Sequence, residues 1–474
     1  MYTSHSKTRQ QRIIVIIIAV AIIAGLGGFA GGRWWMMNRY PMLQEPAFDN
    51  LDRSYKEVLS DYLSGADPDE LIHGAAQGLV SSLKDPYSVY YTKEQGADYL
   101  QRYEDHFVGI GVELRVENGE FVISSAIKGA PAEQAGFQPD DVIAAVDGKS
   151  LKGKTLPDLI KLTRGKEGTE VTLTIVRAGL PEPFDITLKR ASVPVTTVSS
   201  ELLEGGIGTI QISRFAESTA EEFNRAADAL LKQGMKGLVL DLRMNPGGLL
   251  SPAIDIASRL VPNNKVIVQV VYKDDKREIT HRSKQKEPWE IPVVVLINES
   301  SASSAEVLAS ALKYSAGAEV VGVKSFGKGI VQTFQQFRDQ SVLKLTEAQW
   351  RTPDGGWIQN EGIEPTIEVE MPEYAFLPAL PLETELAIGE FGQEVKTAQQ
   401  MLAALGFYAG EAKGIYDEAT AAAVERFQRE EKLQINGMLS GRTSYRLTQR
   451  LREKIVQEDP QKWRAITLLK DDME

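Results

Sequence analysis

Apolar positions fall into three textures along the 474 residues. The first is an unbroken run from Ile13 to Gly32, with Lys7, Arg9 and Arg12 before it and Trp34 and Trp35 after it. Twenty helical residues at about 1.5 Å each span about 30 Å, the hydrocarbon thickness of a bilayer. Basic residues on the near side and aromatics on the far side predict a single-pass anchor (residues 1–36) with its tip in the cytoplasm. The rival expectation is a cleaved signal peptide, because Gly27, Gly28 and Ala30 crowd the far end. The run, however, exceeds the usual signal core of about 7–15 residues. Either reading puts the rest of the chain outside the cytoplasm.

The second texture is helical periodicity. Residues 37–105 read as charged helices, with starts at Asp49-Asn50-Leu51-Asp52 and Asp67-Pro68-Asp69 and an apolar stripe at Ala75 to Leu79. A packed spacer is one reading; a dimerising arm, and hence a homodimer, is the other. Residues 386–452 are also helical, behind a Pro-rich linker at 373–385, and the polar tail at 453–474 is expected to fray from Gln457 onward.

The third texture is short apolar runs between turns. Residues 106–190 read as one small β-rich domain, with a hairpin turn at Asp147-Gly148 and a short helix at Gly129 to Gly136. In residues 191–372, apolar runs at Ile207 to Ile212, Gly237 to Leu240, Val266 to Val271, Val293 to Ile297 and Val320 to Val323 alternate with helical patterns. That is an α/β layer with strand-end loops open to chemistry. The fold class expected is therefore multidomain α/β, with the β-rich domain set into an α/β core.

Composition narrows the function. Hydrophobic residues make up 43% and charged residues 25%, enough to bury cores. The formal charge of −12 gives no footprint for nucleic acid. Cysteine is absent, which removes thiol nucleophiles, disulfides and thiolate metal sites. Only four histidines occur, none paired at metal-ligand spacing, so a His-based metal site is not expected, and no metal or organic cofactor is implied.

Two segments carry candidate chemistry. Asn298 to Glu306 (NESSASSAE) joins an apolar strand to a helix. A serine there exposes its hydroxyl beside helix N-terminal N–H groups that stabilise an oxyanion, although serines at such turns also simply cap helices. Val323 to Gln332 (VKSFGKGIVQ) sets Lys328 between two glycines, beside Phe326, Ile330 and Val331. Walled in by these, the amine would lose its charge and become a general base; left exposed, it is a surface hairpin lysine. His281, the sole histidine of the α/β region, lies near Arg277, Lys284 and Lys286 and looks exposed, with no orienting carboxylate evident.

Together these segments resemble the carboxy-terminal processing (tail-specific) serine proteases of Ser–Lys type. The serine three residues before Glu306 is Ser303, and Lys328 follows it by 25 positions in Phe326-Gly327-Lys328-Gly329. Gln332, four residues on, matches the glutamine that orients the amine. The family's Ser-Ala-Ser-Ala-Ser-Glu stands here as Ser301-Ala302-Ser303-Ser304-Ala305-Glu306, leaving Ser301 and Ser304 as lesser candidates. Asp241 to Leu249 (DLRMNPGGL) matches the loop that implies an oxyanion donor from Gly247 or Gly248, with the Ser304 N–H as the other.

The β-rich domain resembles a PDZ domain, with Gly109-Ile110-Gly111-Val112 as its carboxylate-binding loop and Arg164 as a sensor of bound tails or else a solvated arginine. Residues 386–452 resemble a three-helix peptidoglycan-binding domain, whose alternative use is protein docking. The resemblance implies a membrane-anchored, extracytoplasmic serine endopeptidase acting on proteins with apolar C-terminal tails. The competing expectations are a non-catalytic PDZ and wall-binding scaffold, and a carbohydrate-active enzyme, for which no acid pair stands out.

Overall fold

The structure is a computed structural model describing residues 4–473 except 102–103, 118, 178–179, 181, 274–276 and 383; side chains of 4–15, 19, 41, 43 and 117 also fall outside the described residues, Lys7, Arg9 and Arg12 among them. The chain forms two compact units, one of residues 1–92 with 335–344 and one of 93–334 with 345–474.

In the first unit, the helix Ser4–Arg39 contains a stretch, Ile16–Arg39, long and apolar enough to cross a membrane, with mean hydropathy 1.9. Ile17, Ile23, Phe29 and Trp34 on it are all exposed. Helices Phe48–Asp61 and Pro68–Ser81 follow. The second starts as its sequence predicts, with Pro68 in the first turn and the Asp67 carboxylate accepting from Asp69 N at 2.8 Å. Strand Val89–Tyr91 pairs antiparallel with residues 342–344, and His73 Nδ1 meets the Tyr90 hydroxyl at 2.9 Å.

The β-rich domain of the second unit is a six-stranded sheet, with strands in the order Val112–Glu117, Glu120–Ala126, Val142–Val146, Glu170–Val176 and Phe184–Lys189, and Lys149–Ser150 paired to the third. Asp147 and Gly148 both have positive φ (49° and 72°), as a two-residue hairpin turn requires. Phe121, Ile123, Leu159 and Leu173 fill its core.

The α/β core is a second six-stranded sheet, ordered Val198–Leu203, Ile207–Ile212, Gly237–Asp241, Val293–Ile297, Glu319–Gly322 and Ile367–Glu368, parallel after its first pair. Both faces are covered, which is why its strands read as continuous apolar runs. Leu238, Leu240, Val295 and Ile297 pack under helices Thr219–Lys232, Leu250–Leu260 and Ser304–Ala311. Val239, Val294, Leu296 and Val321 face the other way, onto Ala465, Ile466 and Leu469.

Those last residues lie on the helix Pro460–Met473. The tail expected to fray is therefore an ordered layer of the core. Its Asp459 carboxylate accepts from Lys462 N at 2.9 Å, and Ala465, Ile466 and Leu469 fall on one helical face. Burying a leucine such as Leu469 stabilises by about 1.5–3 kcal/mol.

Two further expectations shift. Val266–Tyr272 is a strand, but of a separate antiparallel sheet with Glu278–Arg282 and Val342–Arg351, so it adds no strand to the parallel layer. The Pro-rich segment is no free linker: Leu380 is buried in the core of the C-terminal module among Leu402, Phe427 and Leu447. Helices Gln393–Ala404, Glu418–Glu430 and Gly441–Gln457 build that module.

Candidate active site

Ser303 occupies the turn between strand Val293–Ile297 and helix Ser304–Ala311, with φ 55° and ψ −117°. Such a conformation costs a residue with a Cβ on the order of 1–3 kcal/mol and persists where surrounding contacts impose it. One such contact is Gly247, where an added Cβ would lie 2.9 Å from Ser303 Cβ and 2.7 Å from Ala302 O. Only a glycine lets these two turns approach.

The three candidate serines separate by environment. Ser301 is fully buried; its hydroxyl donates to Leu242 O at 2.8 Å and accepts from Asn298 N at 2.9 Å. The Ser304 hydroxyl donates to Gly248 O at 3.0 Å in a buried position. Ser303 is half-buried and faces a cavity of about 130 Å³. Lys328, Gln332, Gly248, Ser304 and Trp350 line the same cavity, with aliphatic walls from Leu249, Val307 and Ile330.

Lys328 sits in a pinned loop. Trp350 Nε1 donates to Lys328 O at 2.8 Å, Trp357 Nε1 to Gly329 O at 2.9 Å, and Gly329 N to Gln359 Oε1 at 2.8 Å. The Lys328 residue is half-buried, not a surface hairpin position. Phe326 is the exception to the expected apolar wall, since it is exposed.

Glu306 joins the serine and lysine loops. Its Oε2 accepts from Ser303 N at 2.7 Å and Lys328 N at 2.9 Å, and its Oε1 from Gly327 N at 2.7 Å and the Ser325 hydroxyl at 2.5 Å. Burial pushes this carboxyl above its usual range, against the pull of the four hydrogen bonds. Sequence reasoning used Glu306 only to mark Ser303; the signal for its role was an acidic residue inside an otherwise apolar helix.

The Gly-Gly loop resolves into two different glycines. Gly247 N donates to Asn245 Oδ1 at 2.8 Å, so its N–H is already engaged. Asn245 is fully buried and also donates to Ile212 O at 2.8 Å, while its carbonyl accepts from Ala302 N at 3.0 Å. Gly248, with φ 147°, packs so closely on Phe215 that an added Cβ would lie 2.1 Å from Phe215 O. Gln332 Nε2 is buried with no hydrogen-bond partner among the described residues.

The remaining candidates lie elsewhere. His281 is half-buried on strand Glu278–Arg282, not exposed, and burial lowers its pKa; it is absent from the cavity lining. In the β-rich domain, Ile110 O and Gly111 O accept from Ala132 N and Ile127 N, both at 2.9 Å, and Gly111 has φ 75°. Gly109 ends strand His106–Gly109 and Val112 begins the next. Arg164 caps helix Leu156–Thr163, donates to Gln101 Oε1 and lies 5.6 Å over the Phe107 ring.

Comparison with known proteins gives the family. A model of peptidase family S41 matches residues 206–369, which contain Ser303, Lys328 and both glycines. Carboxy-terminal processing protease CtpA of Bacillus subtilis (strain 168) is 40% identical over 467 residues, 98% of this chain and 100% of that one. The chain belongs to peptidase family S41. A second relative of this S41 peptidase, "Probable CtpA-like serine protease" of Staphylococcus aureus (strain N315), is 39% identical over 89% of this chain and 85% of its own. A solved structure, the photosystem II D1 C-terminal processing protease, is 27% identical with a TM-score of 0.42, covering 73% of this chain and 92% of its own. Further models match a PDZ domain at 122–177, a peptidoglycan binding domain at 391–447 and the N-terminal domain of the activating protease CtpB at 37–95. The S41 peptidase is thus a carboxy-terminal processing serine protease with PDZ and peptidoglycan-binding domains.

Proposed function

We propose that this protease cleaves by a Ser–Lys mechanism. Ser303 Oγ attacks the scissile carbonyl while the uncharged Lys328 amine takes its proton, and the same amine then delivers it to the leaving nitrogen. An acyl-enzyme forms and water resolves it. The N–H groups of Gly248 and Ser304 hold the oxyanion; Gly247 serves by letting the loop approach, since its own N–H is engaged by Asn245. Gln332 orients the lysine: its side-chain carbonyl accepts an N–H of the uncharged amine and leaves the lone pair free for the serine proton.

The observation that carries this reading is the single Glu306 carboxylate holding both the strained Ser303 turn and the Lys328 loop at the rim of one cavity. Supporting it, the hydroxyls of both rival serines are committed to main-chain carbonyls.

The same reading extends to delivery. Apolar C-terminal tails bind the Gly109-Ile110-Gly111-Val112 loop, with Arg164 sensing them through its stack on Phe107. The C-terminal module holds peptidoglycan. The apolar N-terminal helix anchors the chain in the membrane with its catalytic part outside the cytoplasm, and the helical arm supports a homodimer. The test is hydrolysis of a peptide with an apolar C-terminus by the full chain, Ser303→Ala and Lys328→Ala. Both variants are expected to lose at least about 10³-fold in kcat with unchanged melting. Equal residual cleavage in all three would leave a non-catalytic scaffold, and release of muropeptides would favour a carbohydrate-active enzyme.

A further inference from the structure

Arg243 lies two residues beyond strand Gly237–Asp241 and five before Gly248, inside the loop that presents the proposed oxyanion donor Gly248. Its side chain is only 15% exposed. Four hydrogen bonds and a further ion-pair contact hold the guanidinium. Nε donates to Asp241 Oδ1 at 2.9 Å and Nη2 to Asp241 Oδ2 at 2.7 Å. Nη1 donates to Asp459 Oδ1 at 3.0 Å and Gln461 Oε1 at 2.9 Å, and Nη2 also reaches Asp459 Oδ2 at 2.7 Å.

Three of these contacts come from a segment more than 200 residues away. Asp459 and Gln461 open the helix Pro460–Met473, after the peptidoglycan-binding module. Gln461 Nε2 also donates to Val369 O at 2.7 Å, at the end of the core segment that leads into the module. The module's entry and exit are therefore stapled together beside Arg243. From Arg243 onward the loop is held by Met244 N on Asn298 Oδ1 at 2.9 Å and by the Asn245 contacts, and it ends at Gly248.

We infer that Arg243 is a positioning residue for the oxyanion loop, and that Asp459 and Gln461 complete its clamp, making the segment beyond the peptidoglycan-binding module part of the catalytic core. The inference rests on the Ser303–Lys328 reading for its catalytic consequence. A lysine at 243 keeps the charge but has no planar fork to bridge two carboxylates, so the loop loses its fixed base. Asparagine at 459 keeps the size and the helix cap while removing one carboxylate.

The experiment compares the full chain with Arg243→Lys, Asp459→Asn and a control, Ile466→Val, which loosens the same helix without touching the clamp. Hydrolysis of a peptide with an apolar C-terminus is measured alongside hydrogen exchange of residues 242–249. Arg243→Lys and Asp459→Asn are expected to lower kcat about tenfold or more with KM within about twofold, and to speed exchange across the loop; Ile466→Val does neither. Unchanged exchange in both clamp variants overturns the inference, as does a control that lowers kcat equally. A wild-type chain without peptidase activity would instead sink the Ser303–Lys328 reading, and the exchange comparison would still decide the clamp.

Discussion

Ser303 and Lys328 share one oxygen: Oε2 of Glu306 accepts from the backbone N–H of each, at 2.7 and 2.9 Å. The Ser303 turn and the Lys328 loop are thus held in register by their main chains, independently of their side chains. Glu306→Gln keeps one acceptor oxygen and turns the other into a donor facing N–H groups. Hydrogen bonds to a charged acceptor contribute about 1.5–3 kcal/mol each, so kcat is expected to fall on the order of 10²-fold.

The pH dependence of that pair has a defined sign. Burial raises the folded pKa of Glu306 above its unfolded value. Proton binding therefore favours the folded state, a contribution whole below the unfolded value of about 4.3 and lost as pH rises through the folded one. Activity runs oppositely, because a protonated carboxyl cannot accept from all four donors. Melting temperature and kcat of wild type and Glu306→Gln should be followed between pH 4 and 8. The melting advantage of wild type is expected to fall with rising pH while its kcat advantage grows; a kcat ratio flat across the range would count against the clamp.

The serine assignment is separable by mutation. Ser301→Ala leaves Asn298 N and Leu242 O buried without their shared partner, at a cost of about 1–3 kcal/mol. It should lower the melting temperature while kcat of the folded protein stays within about tenfold. Ser304→Ala removes only the bond to Gly248 O and should also keep kcat within tenfold. Loss of all activity in either, with Ser303→Ala still active, would move the nucleophile.

Gly247 and Gly248 should fail differently when changed to alanine. At Gly247 the added methyl presses on Ser303 Cβ and Ala302 O, so the Ser303 side chain shifts; if Ser303 is the nucleophile, kcat is expected to fall at least about 10²-fold with a folded protein. At Gly248 the methyl would meet Phe215 O at 2.1 Å, and the loop must leave its bridge to Phe215. Stability is expected to fall first there, read as the melting midpoint beside that of Gly247→Ala.

Much of the site was legible because its parts are local. The strand-to-helix serine turn, the Gly-Lys-Gly loop and the Asn-Pro-Gly-Gly loop each declare themselves within ten residues. What joins them is not local: Glu306 acts across 22 positions on Lys328 N, and Asn245 binds Ile212 O across 33. Neither pairing leaves a spacing signal, since a buried polar residue reads like any other until its donors are located. The same holds for Val266–Tyr272, whose apolar run suits either sheet, and whose pairing with Val342–Arg351 decides which.

The C-terminal helix was the largest misreading, and its signals were present. Asp459-Pro460 is a cap followed by proline at the first helical position, and Ala465, Ile466 and Leu469 repeat at helical spacing. The doubly apolar strands Gly237–Asp241 and Val293–Ile297 also needed a second covering layer, supplied by this helix. Leu469→Ala should therefore behave as a core substitution and not a tail change. A cost of about 2–5 kcal/mol is expected, because Leu469 is fully buried against Val239, Val294 and Leu296. Ending the chain after residue 458 would bare that sheet face entirely, and the product is expected to aggregate on size-exclusion chromatography. A shortened chain that stays soluble and melts at the wild-type temperature would show that the parallel sheet is stable with one face open.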